Sequence, residues 1–187
     1  MAHSEEPSLK QGNKPELLFQ NALITEIKSI LSLRKESGTL SNFFIIPRFG
    51  LDIAVFLKNG NRSSVRFIEI KVYKGDRPGG VGFGNQKGEG IQVDLVSLDQ
   101  EALMLADQFI RWVVYDSTRQ GEERFALVTN STIKASAMGE VKQGKQNNIR
   151  IKDLKDSMVT WAQLMLELEG FLGDPPIQNT DPVFHSK

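Results

Sequence analysis

Asp52, Glu69 and Lys71 are the residues whose types and spacing best support chemistry. Along a strand, residues two apart share a side. Phe67-Ile68-Glu69-Ile70-Lys71-Val72 therefore sets Glu69 and Lys71 on one face and Ile68, Ile70 and Val72 on the other. On the preceding segment Asp52 begins a face continued by Ala54 and Phe56, opposite Ile53, Val55 and Leu57. The Asn59-Gly60 pair is a hairpin signal that folds these segments together, and Asp52 then approaches Glu69 if the register permits. Two neighbouring carboxylates repel, and a hard divalent cation relieves that cost. Mg²⁺, or alternatively Mn²⁺, suits carboxylate oxygens completed by water. The main-chain carbonyl of Ile70 offers a further ligand from between the two side chains. Lys71 beside such an ion can orient or deprotonate a water and stabilise negative charge at phosphorus. The plainer readings are an ion pair on a half-exposed sheet for Glu69 and Lys71, and a turn acid capping local amides for Asp52.

The elements that must position these groups are legible in outline. Residues 1–14 are polar and aperiodic, and read as disordered. From Pro15 to about Lys35–Gly38, Phe19, Leu23, Ile27, Ile30 and Leu31 recur at helical spacing. Glu26 shares the side of Leu23 and Ile30, which makes it a candidate ligand, directly or through water, or a carboxylate reaching solvent from the stripe's edge. Strands are expected at Phe43–Ile46, ended by Pro47, at Leu51–Leu57 and at Val65–Tyr73. Gly75–Gly90 holds seven glycines in sixteen residues and reads as a long, functional or disordered loop. A helix starting at Ser97-Leu98-Asp99 and running to Phe109, strands at Arg111–Tyr115 and Phe125–Thr129, a basic loop at Met138–Asn148 and a last helix starting at Asp156 or Ser157 complete the reading. The domain is expected over residues 15–170, with residues 171–187 as a loose tail.

Composition removes several classes of function. Cysteine is absent and the two histidines, His3 and His185, lie in the terminal segments. Thiolate metal sites, cysteine nucleophiles and histidine-based triads are thereby excluded or disfavoured, and a cytoplasmic setting is expected. No apolar run has the length of a membrane helix. The formal net charge is zero, but Lys58–Lys87 carries seven Lys or Arg against two acids, and Lys134–Lys155 six against two. Such patches suit local contact with a polyanion or are ordinary solvated faces. Gly139 to Lys145 matches part of a phosphate-binding loop, but Gln146 stands where Ser or Thr is needed, so no nucleotide cofactor is expected. Trp112, Trp161, Phe43, Phe44 and Phe49 read as packing residues.

Leu51-Asp52, a gap, then Glu69-Ile70-Lys71 resembles the PD-(D/E)XK signature of the restriction-endonuclease-like nucleases, over about Leu17 to Thr129. The resemblance implies an α/β fold: one restriction-endonuclease-like domain whose central mixed β-sheet contains a three-stranded meander flanked by helices. It implies a Mg²⁺-dependent nuclease, with the motif acids at Asp52 and Glu69, the lysine at Lys71 and the first-helix carboxylate of some members at Glu26. Leu51 replaces the motif proline, and the glutamine–tyrosine pattern of some exonuclease branches is missing. The expected substrate is DNA ahead of RNA, and a palindromic target would make a homodimer sensible. Contacts to nucleic acid are expected from Arg48, Arg66, Lys74, Arg77, Lys87, Lys142 and Lys145. The competing expectation is a non-catalytic nucleic-acid-binding or assembly protein on the same fold.

Overall fold

The amphipathic spacing at the N-terminal end produces helix α1 (Lys14–Glu36) in a computed structural model of the chain, which describes residues 14–49, 51–75, 80–83, 99–136 and 147–173. Leu23, Ile27 and Leu31 are fully buried along one stripe of α1, as their spacing of four requires. A meander follows: β1 (Asn42–Phe49), β2 (Leu51–Asn59) and β3 (Arg62–Tyr73), each antiparallel to the one before. Gly60, at φ 58°, makes the tight turn between β2 and β3, a left-handed conformation that glycine adopts without steric cost.

Helix α2 (Gln100–Phe109) lies in the connection to β5 (Ile110–Asp116), which runs parallel to β3. A parallel neighbour needs such a crossover. Strand β6 (Phe125–Val128) then pairs antiparallel with β5, giving a five-stranded mixed sheet in the order β1-β2-β3-β5-β6 with β3 at its centre. Helix α1 and the last helix, α4 (Trp161–Phe171), pack on one face, against Ile53, Val55, Leu57, Ile68 and Ile70. On the other face Leu103 of α2 packs with Trp112, Val114, Ala126 and Val128. Ile133 of α3 (Asn130–Ser136) and Leu154 of a 3₁₀ segment (Ile151–Ser157) join that cluster. The result is a mixed α/β fold with helices on both sides of the sheet. Among the described helices, none is long and apolar enough to cross a membrane.

Several sequence expectations shift. Strand β1 continues through Pro47 and does not end there. It is an edge strand, where a residue without an N–H is tolerated. Within the glycine-rich stretch, β4 (Gly80–Phe83) pairs with β7 (Asn147–Arg150), at the end of the expected basic loop. The last helix starts at Trp161, later than Asp156 or Ser157, because Thr160 and Gln163 close a capping box there. Its end runs past residue 170: Leu172 is fully buried, so the domain takes in the start of the expected tail.

Candidate functional site

The site forms where the sheet opens. Pairing between β2 and β3 runs from Asn59 and Arg62 to Ile53 and Ile68, and beyond that point side chains take over from main chain. The Asp52 carboxylate accepts the Ile70 N–H at 2.7 Å through Oδ2. The Glu69 carboxylate accepts the Asp52 N–H at 3.2 Å through Oε2. Each acid thus binds a main-chain amide at or beside the other, which closes the gap between strands and holds the two carboxylates together. In an extended strand the N–H and C=O of one residue leave on the same edge, so the Ile70 carbonyl is turned toward this gap as well.

Lys71 completes the cluster. Its Nζ donates to Glu69 Oε1 at 2.7 Å and lies 5.6 Å from the centroid of the Trp112 ring. Trp112 in turn donates from Nε1 to Asn130 Oδ1 at 2.8 Å. The ion pair is half-buried, so the lysine is held by a carboxylate on one side and an aromatic face on the other. The Asp52 carboxyl is pushed up to about 6, first by burial and then by the negative charge of Glu69. The Ile70 amide and Lys71 act in the opposite direction, and Glu16 adds a further upward push.

That last influence identifies a residue the sequence reading missed. Gln20, buried on α1, donates from Nε2 to the Asp52 carbonyl at 2.7 Å. Glu16 lies one turn before Gln20 on the same helical face. Glu26 lies six residues beyond Gln20, roughly 9 Å further along the axis. The helix-borne carboxylate that acts on Asp52 is therefore Glu16. Glu16→Gln is expected to bring the Asp52 carboxyl down toward its ordinary range, because a neutral amide no longer repels it. Glu26→Gln should leave it unchanged, with an NMR titration of the Asp52 carboxyl as the measurement. An effect from Glu26→Gln equal to that from Glu16→Gln would refute the assignment.

Of the expected nucleic-acid contacts, Arg66 is corrected. It is only 3 % exposed and shares the inward face of β3 with Ile68 and Ile70. Its Nε donates to the Phe171 carbonyl at 3.1 Å and its Nη2 to that of Gly173 at 3.4 Å. The guanidinium also lies 5.7 Å from the ring centroids of both Phe109 and Phe171. It caps the C-terminal end of α4, where carbonyls lack helical partners. Arg66→Ala is expected to cost about 1–3 kcal/mol by removing the partner of those part-buried carbonyls. A urea midpoint would show the loss.

Arg48 and Lys74 remain exposed. Arg77, Lys87, Lys142 and Lys145 lie outside the described residues. Trp112 and Trp161 are packing residues, as expected, each in one of the two apolar clusters. Phe43 also packs against the core, but Phe44 faces outward and is 63 % exposed. No family model, curated protein or solved structure matches the chain. Among the described residues, no group of three His, Cys, Asp or Glu side chains is placed to hold a metal ion. The acids of the site come as a close pair, Asp52 and Glu69. Mg²⁺ is commonly bound through one or two carboxylates with several waters retained, so the donor chemistry of this pair fits such an ion.

Proposed function

We propose that the chain is a Mg²⁺-dependent nuclease that hydrolyses phosphodiester bonds, in DNA ahead of RNA. The observation that carries this reading is the clasp of Asp52 and Glu69 at the opened end of β2 and β3, with Lys71 bonded to Glu69. The order helix, three-stranded meander, helix and parallel strand adds support, since the restriction-endonuclease-like resemblance implies that order.

In this reading Asp52, Glu69 and the Ile70 carbonyl would hold the cation, with Glu16 adding negative charge from α1. A bound divalent ion supplies Lewis acidity and a water of lowered pKa. Lys71 Nζ offers hydrogen bonds to a phosphoryl oxygen and to the incoming water, and its position is fixed by Glu69 and Trp112. Arg48, exposed on β1 with its main chain across from that of Asp52, would offer a cation to the phosphate chain.

The test is an assay with Mg²⁺ or Mn²⁺ on linear, nicked, branched and single-stranded DNA and on RNA. Asp52→Ala and Glu69→Ala are the controls, each checked for retained fold. Cleavage lost in both variants supports the reading. A purified wild-type protein that binds DNA but cleaves none of these substrates moves the chain to the non-catalytic alternative.

A further inference from the structure

The face that carries Asp52, Glu69 and Lys71 continues into an aromatic strip at the edge of the sheet. On β1, Phe44 and Ile46 point away from the core and are 63 % and 40 % exposed. Their neighbours Phe43 and Ile45 pack inward, as strand alternation demands. Phe44 stands opposite Phe56 on β2, Ile46 opposite Ala54, and Ala54 opposite Phe67 on β3. Phe56 and Phe67 are both half-buried.

A cation follows the strip on the same strand. Pro47 pairs with Ile53 and Phe49 with Leu51, so the main chain at Arg48 lies across from that at Asp52. Arg48 is exposed and has a φ of 59°, a left-handed conformation that costs a non-glycine residue roughly 1 kcal/mol. From Phe44 to Arg48 the strand spans about 14 Å. An exposed ring, an exposed isoleucine and an exposed cation thus follow one another along β1, toward the end of the strand that lies across from Asp52.

We propose that this strip is a stacking platform for the unpaired bases of single-stranded DNA, whose phosphates pass Arg48 to reach Asp52 and Glu69. The inference rests on the nuclease reading for the destination of the strand, but the platform is testable by binding alone. The exposed Phe44 ring can take a base by its face, which a duplex has already buried in its own stack, and such stacking is tolerant of sequence. Arg48 complements the phosphates. A second copy of this chain is the poorer occupant. Pro47 offers no N–H, and the left-handed backbone at Arg48 breaks the regular edge that strand-to-strand pairing needs.

The experiment is fluorescence anisotropy in Ca²⁺ buffer. The probes are a fluorescein-labelled 12-nucleotide single-stranded DNA, the same strand carrying abasic positions, and the corresponding duplex. Wild type is expected to prefer the intact single strand over the duplex. Phe44→Ala and Phe44→Leu are expected to weaken single-strand binding about 5- to 100-fold. Phe44→Trp should retain it, with indole emission quenched on binding. On the abasic strand, wild type and Phe44→Leu should bind alike. Equal affinity of wild type and Phe44→Leu for the intact strand overturns the platform, as does an equal loss on abasic DNA or a wild type that binds no single strand. A dimer in sedimentation that dissociates in Phe44→Leu also overturns it, because a second copy then occupies the face. A parallel Mg²⁺ cleavage assay separates the two ideas: Phe44-dependent binding without cleavage refutes the nuclease and keeps the platform, and cleavage with Phe44-independent binding does the reverse.

Discussion

Asp52→Asn is expected to abolish phosphodiester cleavage and, in the same protein, to raise the melting temperature at pH 8. The two effects share one cause. Folding places the Asp52 carboxyl in a buried position beside Glu69, which raises it from 3.8 to about 6. A carboxyl raised on folding binds more protons in the native state than in the unfolded one. Its contribution to stability is therefore greatest below pH 4, declines as pH rises from about 4 to 6, and is fully lost above that. At pH 8 the ionised group costs the fold about 2–3 kcal/mol, at 1.36 kcal/mol for each pH unit. Asparagine removes the charge yet keeps an oxygen to accept the Ile70 N–H.

For a chain of 187 residues, a gain of that size raises the melting temperature by about 5 °C. The gain should shrink toward zero at pH 4, where Asp52 is already neutral in the wild type. Mg²⁺ should stabilise the wild type by mass action and leave Asp52→Asn nearly unmoved. Thermal melts from pH 4 to 8, with and without Mg²⁺, read all three effects. A variant less stable than wild type at pH 8 would show that Asp52 serves the fold, and one equally stabilised at pH 4 and pH 8 would show that its charge is not the cause.

Strand parity made much of the site legible. Ile53, Val55 and Leu57 and then Ile68, Ile70 and Val72 announced the inward face, and Asp52, Glu69 and Lys71 followed by alternation. Arg66 carried the same signal, since it shares the parity of Ile68 and Ile70, and its burial follows from that rule. Its partners on α4 did not, because they lie more than a hundred residues away. Thr160 and Gln163 formed a readable capping box, whereas Asp156 and Ser157 offered competing starts. Helical periodicity chose Glu26 because the rule reports which side of a helix a residue faces. It does not report which turn crosses the end of β2, and that axial position brings Gln20 and Glu16 to Asp52. Nor did sequence show where the β2–β3 ladder ends. That end point depends on register summed over the whole hairpin, and it turns the two carboxylates into a reciprocal clasp.

Lys71→Ala is expected to reduce cleavage by about 10²–10⁴-fold, the usual range for losing a positioned proton donor or acceptor, while strengthening Mg²⁺ binding. In the proposed site the lysine and a cation would make competing claims on one carboxylate. Without Lys71, Glu69 Oε1 loses its 2.7 Å partner, and Asp52 loses a positive charge that holds its carboxyl down. Both changes leave more negative charge for a divalent ion to neutralise. The variant should therefore melt lower than wild type in EDTA, yet gain more from 10 mM Mg²⁺ (roughly that level being far above many Mg²⁺ affinities). Restored folding without restored cleavage would place Lys71 in the chemistry. Lys71→Arg sharpens the separation. Its guanidinium can keep the ion pair with Glu69 and so retain stability, but it is planar and effectively always charged. It cannot reproduce a compact amine at the position of Nζ. Cleavage by Lys71→Arg at the wild-type rate would reduce Lys71 to a structural counter-ion, and so would full recovery of Lys71→Ala activity by Mg²⁺ alone.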